Sequence, residues 1–253
     1  MKTGPFMKQS PLMILSTTAL ITLAGCKSLS LDDAMSLGAQ SLQAMSLSDA
    51  DVKNLSNQSC QQMDAQSKIA PANSTYTKRL NKIANSLGHN VNGTKVNYKV
   101  YLTKDVNAWA MANGCVRVYS GLMDKMTDNE IAGVLGHELG HVALGHTKKR
   151  LQVAYATDIA RSAAAKSGNG IIADLSSSQL GNLAQTLVNS QFSQSQELEA
   201  DNFSYNYLKS RKINPEGIAT AFDKLGGNSS LLSSHPSSSK RSQNIRNRIA
   251  QDR

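Results

Sequence analysis

Apolar residues follow several distinct patterns along this chain, and each predicts a different kind of element. Residues 12–24 form an uncharged, largely apolar stretch, and Lys2 and Lys8 are the only charges in the first 25 positions. A stretch this short falls below the roughly 20 residues of a membrane span and reads as an export leader over residues 1–25. The chain then turns Ser-, Gln- and Asp-rich, which predicts a tether followed by one or two amphipathic helices over about 48–67, broken by Pro71. Leu80, Ile83, Ala84 and Leu87 recur at helical spacing over 75–87, and Gly88 ends them. Three β-rich runs follow at 96–102, 107–112 and 115–119, with Asn113-Gly114 as a two-residue hairpin signal between the last two. Thr127 and Glu130 fit a capping box. The helix behind it, 131–144, is apolar almost all round and should be buried, with Gly145 as its stop. Residues 150–196 predict two helices or a mobile helical excursion, with a Gly-rich break at 167–170. Further helices are expected at 193–211, from Pro215 to 225, and at 240–253, with a Ser-rich loop at 226–239. No internal repeat is evident. The pattern is mainly helical α+β, with a small antiparallel sheet beside one buried helix.

Charge changes this picture little. The formal net charge is +9, or +7 without the leader (25 basic minus 18 acidic). Basic residues are dispersed apart from Lys148, Lys149 and Arg150 and a second group at 240–248, and aromatics do not interleave with them. That argues against nucleic acid and for a solvated surface attracted to anionic lipid or acidic unfolded chains. The organisation reads as a leader at 1–25, a tether with N-terminal helices at 26–70, and one further domain at 71–253.

Cysteine usage fits an exported chain. Leu23-Ala24-Gly25-Cys26 looks like a bacterial lipoprotein processing site, which implies a new N-terminus at Cys26 carrying lipid. Lys27 follows where an Asp would signal inner-membrane retention, so the resemblance points to the outer membrane, facing the periplasm. Cys60 and Cys115 then remain, an even pair in an oxidising compartment, and are expected to form one disulfide. Such a bridge would stabilise the fold by about 4 kcal/mol.

The buried helix carries the chemistry. In His137-Glu138-Leu139-Gly140-His141 two histidines lie four apart on one face and can both reach a single metal ion. Glu138, next to the first of them, can take a proton from a water that zinc has acidified to a pKa of about 7. A third protein ligand is needed. A Gly three residues and a His six residues after His141 would mark one class, but Leu144 and Thr147 stand there. His146 is five residues on, about 140° around a continuous helix, and reads as an outer-layer residue or a helix-end cation. Glu197 and Asp201 lie four apart on one helix face, so one can bind the metal while the other orients a ligand histidine. Glu199, about 200° from Glu197, should face elsewhere.

HExxH followed by Glu197-Leu198-Glu199-Ala200-Asp201 resembles the HtpX-like, CAAX-prenyl-endopeptidase type of gluzincin metallopeptidase. The likeness extends upstream through residues 107–114, Val116, Val118 and Gly121-Leu122, which resemble the family's edge-strand segment, and downstream to His235-Pro236 and Arg241. It covers about residues 70–250. With its lipobox and paired cysteines the whole chain is similar to lipid-anchored outer-membrane members of that family. The resemblance implies one Zn2+ held by His137, His141 and Glu197, with Asp201 behind a ligand. It implies that His235 stabilises the oxyanion or gates the metal, and that Arg241 supports the His235 loop. A peptide would add as a strand alongside Cys115, Val116, Arg117 and Val118. The implied function is an endopeptidase cutting unfolded or misfolded envelope proteins, with envelope assembly factors or other proteases as partners. The alternative is a zinc-binding periplasmic chaperone or assembly factor with little or gated proteolysis.

Overall fold

The computed structural model describes residues 47–163, 175–225, 230–235 and 239–252. The leader, Cys26, the tether to residue 46, the Gly-rich break at 167–170 and parts of the Ser-rich loop lie outside them. Among the described residues, no helix is long and apolar enough to cross a membrane.

The elements run α1 (Asp49–Gln66), α2 (Thr75–Leu87), β1 (Asn90–Val91), β2 (Thr94–Lys95), β3 (Asn97–Tyr101), β4 (Ala108–Ala110), β5 (Cys115–Tyr119) and α3 (Ser120–Lys125). They continue with α4 (Asp128–Ala143), α5 (His146–Ala163), α6 (Ser177–Asn189), α7 (Gln194–Ser210), α8 (Glu216–Lys224), α9 (Ser230–Ser234) and α10 (Ser239–Gln251). The fold is mostly helical, as the pattern predicts, and 150–196 resolves into two helices. Short α3 and α9 escape a periodicity reading because neither completes two turns. So does the β1–β2 hairpin, although Asn92-Gly93 is itself an Asn-Gly turn with φ of 45° and 83°.

The three-stranded sheet corrects two expectations. Its order is β3-β5-β4, with β5 antiparallel to β4 but parallel to β3, so the sheet is mixed. β5 is therefore the middle strand, both its edges are taken, and no peptide can add alongside Cys115–Tyr119. The edge strand beside the buried helix is β4, which packs on α4. The β4–β5 hairpin exists, but its loop is one residue longer than expected. The Met111 N–H bonds the Cys115 carbonyl at 2.9 Å, which leaves Ala112, Asn113 and Gly114 in the turn. Gly114 has φ of 80°, as the left-handed residue of a three-residue loop requires.

The box at Thr127 forms. Its hydroxyl accepts the Glu130 N–H at 3.3 Å, and the Glu130 carboxylate accepts the Thr127 N–H at 2.8 Å. From Glu130 to Val142 every residue of α4 is buried. One face of α4 carries Gly133, Gly136 and Gly140, three and four residues apart. A Cβ on Gly133 would stand 2.6 Å from the Ile218 nitrogen of α8, and one on Gly140 would stand 3.0 Å from the Ala200 carbonyl oxygen of α7. The missing side chains let α7 and α8 lie directly on the α4 backbone. Because Gly136 and Gly140 bracket His137 and Glu138, this close approach brings Glu197 and Asp201 of α7 to the α4 histidines.

One helix of 18 residues, α1, fills the predicted N-terminal helical stretch, capped at its start by Ser48. Its Val52 and Leu55 pack with Leu151 and Tyr155 of α5 and Leu183 and Leu187 of α6. Cys60 and Cys115 are joined, tying α1 to β5. Beside the bridge, the buried Arg117 guanidinium donates to both Asp64 oxygens at 2.7 and 2.9 Å. Lys99 and the Tyr101 hydroxyl, each at 2.7 Å, complete the ring around Asp64.

Candidate metal centre

His137 and His141 leave adjacent turns of α4 with their Nε2 atoms 3.0 Å apart. Glu197, from the first turn of α7, places Oε2 at 3.4 Å from Nε2 of His137 and Oε1 at 3.4 Å from Nε2 of His141. Ligands about 2.05 Å from a tetrahedral ion stand roughly 3.3 Å apart, so these separations match the edges of a coordination sphere. His235 completes the group, and all four residues are buried with their ligand atoms within 4.8 Å of one another. The Glu138 carboxylate, 1% exposed, accepts no hydrogen bond among the described residues. Several buried carboxylates and imidazoles packed this closely are costly without a shared cation, so the donor set fits a metal ion.

Behind the donors lies a second layer. Nδ1 of His137 meets Oδ1 of Asp201 at 2.8 Å. Arg241 donates to both Asp201 oxygens at 2.7 Å and reaches Glu197 at 2.5 Å. It thus ties Glu197 and Asp201 together, a contact beyond the loop support expected of it. Burial opposes charge on Glu197, but His137, His141 and His235 hold it well below the usual carboxylate range. Burial also works against charge on His137, yet Asp201 and Glu197 raise it to about 9. On His141 burial prevails and holds the ring well below its ordinary value, as suits a neutral ligand.

One reading of the helical wheel needs correction, and a second gains a partner. Helix α4 ends at Ala143 and Gly145 turns the chain with φ of 74°, so His146 opens α5 instead of continuing α4. It stands at a helix start, not at the C-terminal end that the helix-end-cation reading needs. Nδ1 of His146 instead faces Nδ1 of His141 at 3.0 Å, as an outer-layer residue. Glu199 does point away from the metal, but toward the site's outer layer, with Oε2 at 3.1 Å from Nε2 of His146.

The metal site is covered. Nδ1 of His235 stands 3.2 Å from Nε2 of His137 and 3.0 Å from Oε1 of Glu197, at the fourth corner of the donor set. Phe192 stacks on His141 with ring centroids 3.6 Å apart and 15° between planes, and Arg150 lies 3.8 Å over the Phe192 ring. Burial lowers the Arg150 guanidinium to about 10. The Phe192 N–H bonds the Ser234 carbonyl at 3.3 Å, joining this cover to the His235 segment. Past Phe192 opens a groove of about 730 Å³ that offers Leu144, Val153 and Ala154 as apolar walls. Neither Phe192 nor Arg150 carries a sequence signal of its own, because each acts through a contact with another element.

This arrangement, two α4 histidines and an α7 glutamate around a cation site with Glu138 beside it, defines a HExxH metallopeptidase. The model for peptidase family M48 matches residues 74–249, and the chain belongs to that family. It is 57% identical over 251 residues to the metalloprotease LoiP of Escherichia coli (strain K12), covering 97% of this chain and 99% of that one. It is 49% identical over 252 residues to the metalloprotease YcaL of the same organism, covering 96% and 99%. The β-barrel assembly-enhancing protease of Yersinia pestis is 28% identical over 193 residues, 69% of this chain and 39% of the relative.

Proposed function

We propose that this metalloprotease is a zinc-dependent endopeptidase that cuts unfolded or misfolded envelope proteins and rests in a closed state. The observation that carries the reading is the convergence of His137, His141 and Glu197 at tetrahedral separations with Glu138 beside them. A buried set of imidazole and carboxylate donors suits zinc. When bound, zinc supplies the Lewis acidity that brings water to a pKa of about 7. Glu138 takes the proton of the attacking water and passes it to the leaving amine. Asp201 and Arg241 keep His137 and Glu197 in place throughout.

The peptide adds at β4. In its pairing with β5, Asn107 and Met111 turn their main-chain groups toward β5, so the intervening even positions, Ala108 and Ala110, face the outer edge. An apolar side chain of the substrate then enters the groove beside Val153 and Leu144, both exposed. His235 holds the fourth corner, so it has to move before a peptide can reach the donor set. The same closure favours a second reading, a zinc-binding envelope chaperone or assembly factor whose proteolysis is gated.

Residues 23–26 support a lipid anchor on Cys26, and Lys27 supports the outer membrane, periplasmic side. The β-barrel assembly named in one relative supports envelope proteins as substrates and assembly factors as partners. The test is cleavage of an unfolded outer-membrane protein by the intact chain and by Glu138→Gln, with metal content measured in both. Cleavage by the first alone, with equal metal in both, supports a protease. Equal binding without cleavage by either supports the chaperone reading.

A further inference from the structure

The two histidines of α4 are oriented by different routes. His137 leans on Asp201, which is buried and clamped by Arg241. His141 leans on His146, and His146 leans on Glu199, whose side chain is 54% exposed at the groove. The Ser195 hydroxyl donates to the other Glu199 oxygen at 2.9 Å and fixes that carboxylate on α7. We propose that His146 and Glu199 are positioning residues that set the tautomer and ring direction of His141 for metal binding; this rests on the metal-centre reading above.

The direction of the chain follows from the donor inventory of the rings. Nε2 of His141 is the atom turned to the other donors, 3.0 Å from His137 and 3.4 Å from Glu197. A ligating nitrogen carries no proton, so the neutral imidazole holds its proton on Nδ1 and needs an acceptor there. The facing atom is Nδ1 of His146, which accepts only when the His146 proton sits on Nε2. Glu199 is the acceptor that keeps it on Nε2, at 3.1 Å. Without Glu199, His146 is free to carry its proton on Nδ1, and two N–H groups then meet head to head at 3.0 Å. Phe192, stacked flat on His141, limits ring tilt, which leaves rotation in the ring plane to be fixed by this chain.

The experiment measures metal affinity of the intact chain by competition with a chromophoric chelator, and the visible spectrum of the cobalt-substituted protein. Glu199→Leu, which leaves no acceptor for the His146 Nε2 proton, and His146→Leu should each lose about 10–100-fold in affinity and alter the cobalt spectrum. His146→Asn puts an amide oxygen where Nδ1 stands and should retain most of the affinity, within about threefold of wild type, below that tenfold threshold. Losses that match for Asn and Leu would reduce His146 to packing and overturn the proposal. So would a Glu199→Leu variant with wild-type affinity and spectrum, a result that stands even if the His146 variant fails to fold, since the Glu199 side chain is 54% exposed. Failure of the wild-type chain to bind metal at all would instead overturn the metal-centre reading itself.

Discussion

Nε2 of His235 stands 3.2 Å from Oε1 of Glu138, while Nδ1 of the same ring stands 3.2 Å from Nε2 of His137. One side chain therefore covers both the base and the corner where a substrate oxygen would sit. A gate in that position predicts that His235→Ala keeps its metal and raises kcat/KM on an unfolded protein several-fold. If His235 served the oxyanion instead, the same variant would lose about 10²–10³ in kcat. Steady-state cleavage with metal content measured in parallel separates the two outcomes.

Close packing of α4 on its neighbours should be equally testable. A Cβ on Gly133 would sit 2.6 Å from the Ile218 nitrogen, a backbone atom that cannot swing aside. Gly133→Ala should cost about 1–3 kcal/mol by overpacking, read from the urea midpoint. Gly140→Ala, at 3.0 Å from the Ala200 carbonyl, shifts α7 and hence Glu197, so its loss should appear in metal affinity as well as stability.

How much of this was legible follows from where each signal resides. Helix α4 was legible because its cap, its apolar run and its paired histidines all lie within one local stretch. Glu197 and Asp201 share a face by spacing, but only the family resemblance told which of them ligates. The mixed pairing of the sheet is not legible, because nothing local says where β3 docks. The hairpin fixes β5 against β4, and the parallel pairing of Asn97 with Cys115 is a long-range choice. The contact of Glu199 with His146 is not legible, because a helical wheel describes one helix and His146 arrives from another. The same holds for Asp64 and Arg117, whose charges are visible in the chain and whose partnership is not.

Removing the metal should lower stability as well as activity. A ligand present at about 1,000 times its Kd stabilises the folded state by about 4 kcal/mol. For a body of this size that corresponds to a fall in Tm of roughly 10 °C on chelation. Glu197→Gln should show a much smaller difference between chelated and metal-loaded scans. An equal difference would place the third ligand elsewhere.

The disulfide should matter for folding more than for chemistry. It closes a loop of 55 residues between α1 and β5, away from the donor set. Cys60→Ser with Cys115→Ser should destabilise by about 2–5 kcal/mol while leaving metal affinity unchanged when measured well below the unfolding transition. A loss of metal affinity in the folded variant would show that α1 reaches the site.

Acid should release the ion pair beside that bridge. Burial opposes charge on Asp64, but hydrogen bonds from Arg117, Lys99 and Tyr101 outweigh it and lower its pKa from 3.8 to about 2. The folded value is depressed, so the stabilisation is fully present above pH 3.8 and is lost as pH falls through 2. The amount is roughly 2 kcal/mol for a side chain only 15% exposed. Asp64→Asn removes the effect and leaves the buried Arg117 charge with only neutral acceptors, among them the Asn97 and Val116 carbonyls, at a cost of about 3–5 kcal/mol near neutral pH. Urea unfolding of both proteins, kept metal-free so that acid loss of the metal plays no part, should show the gap narrowing between pH 4 and pH 2. A gap that stays constant over that range would mean that Asp64 is not charged within this network.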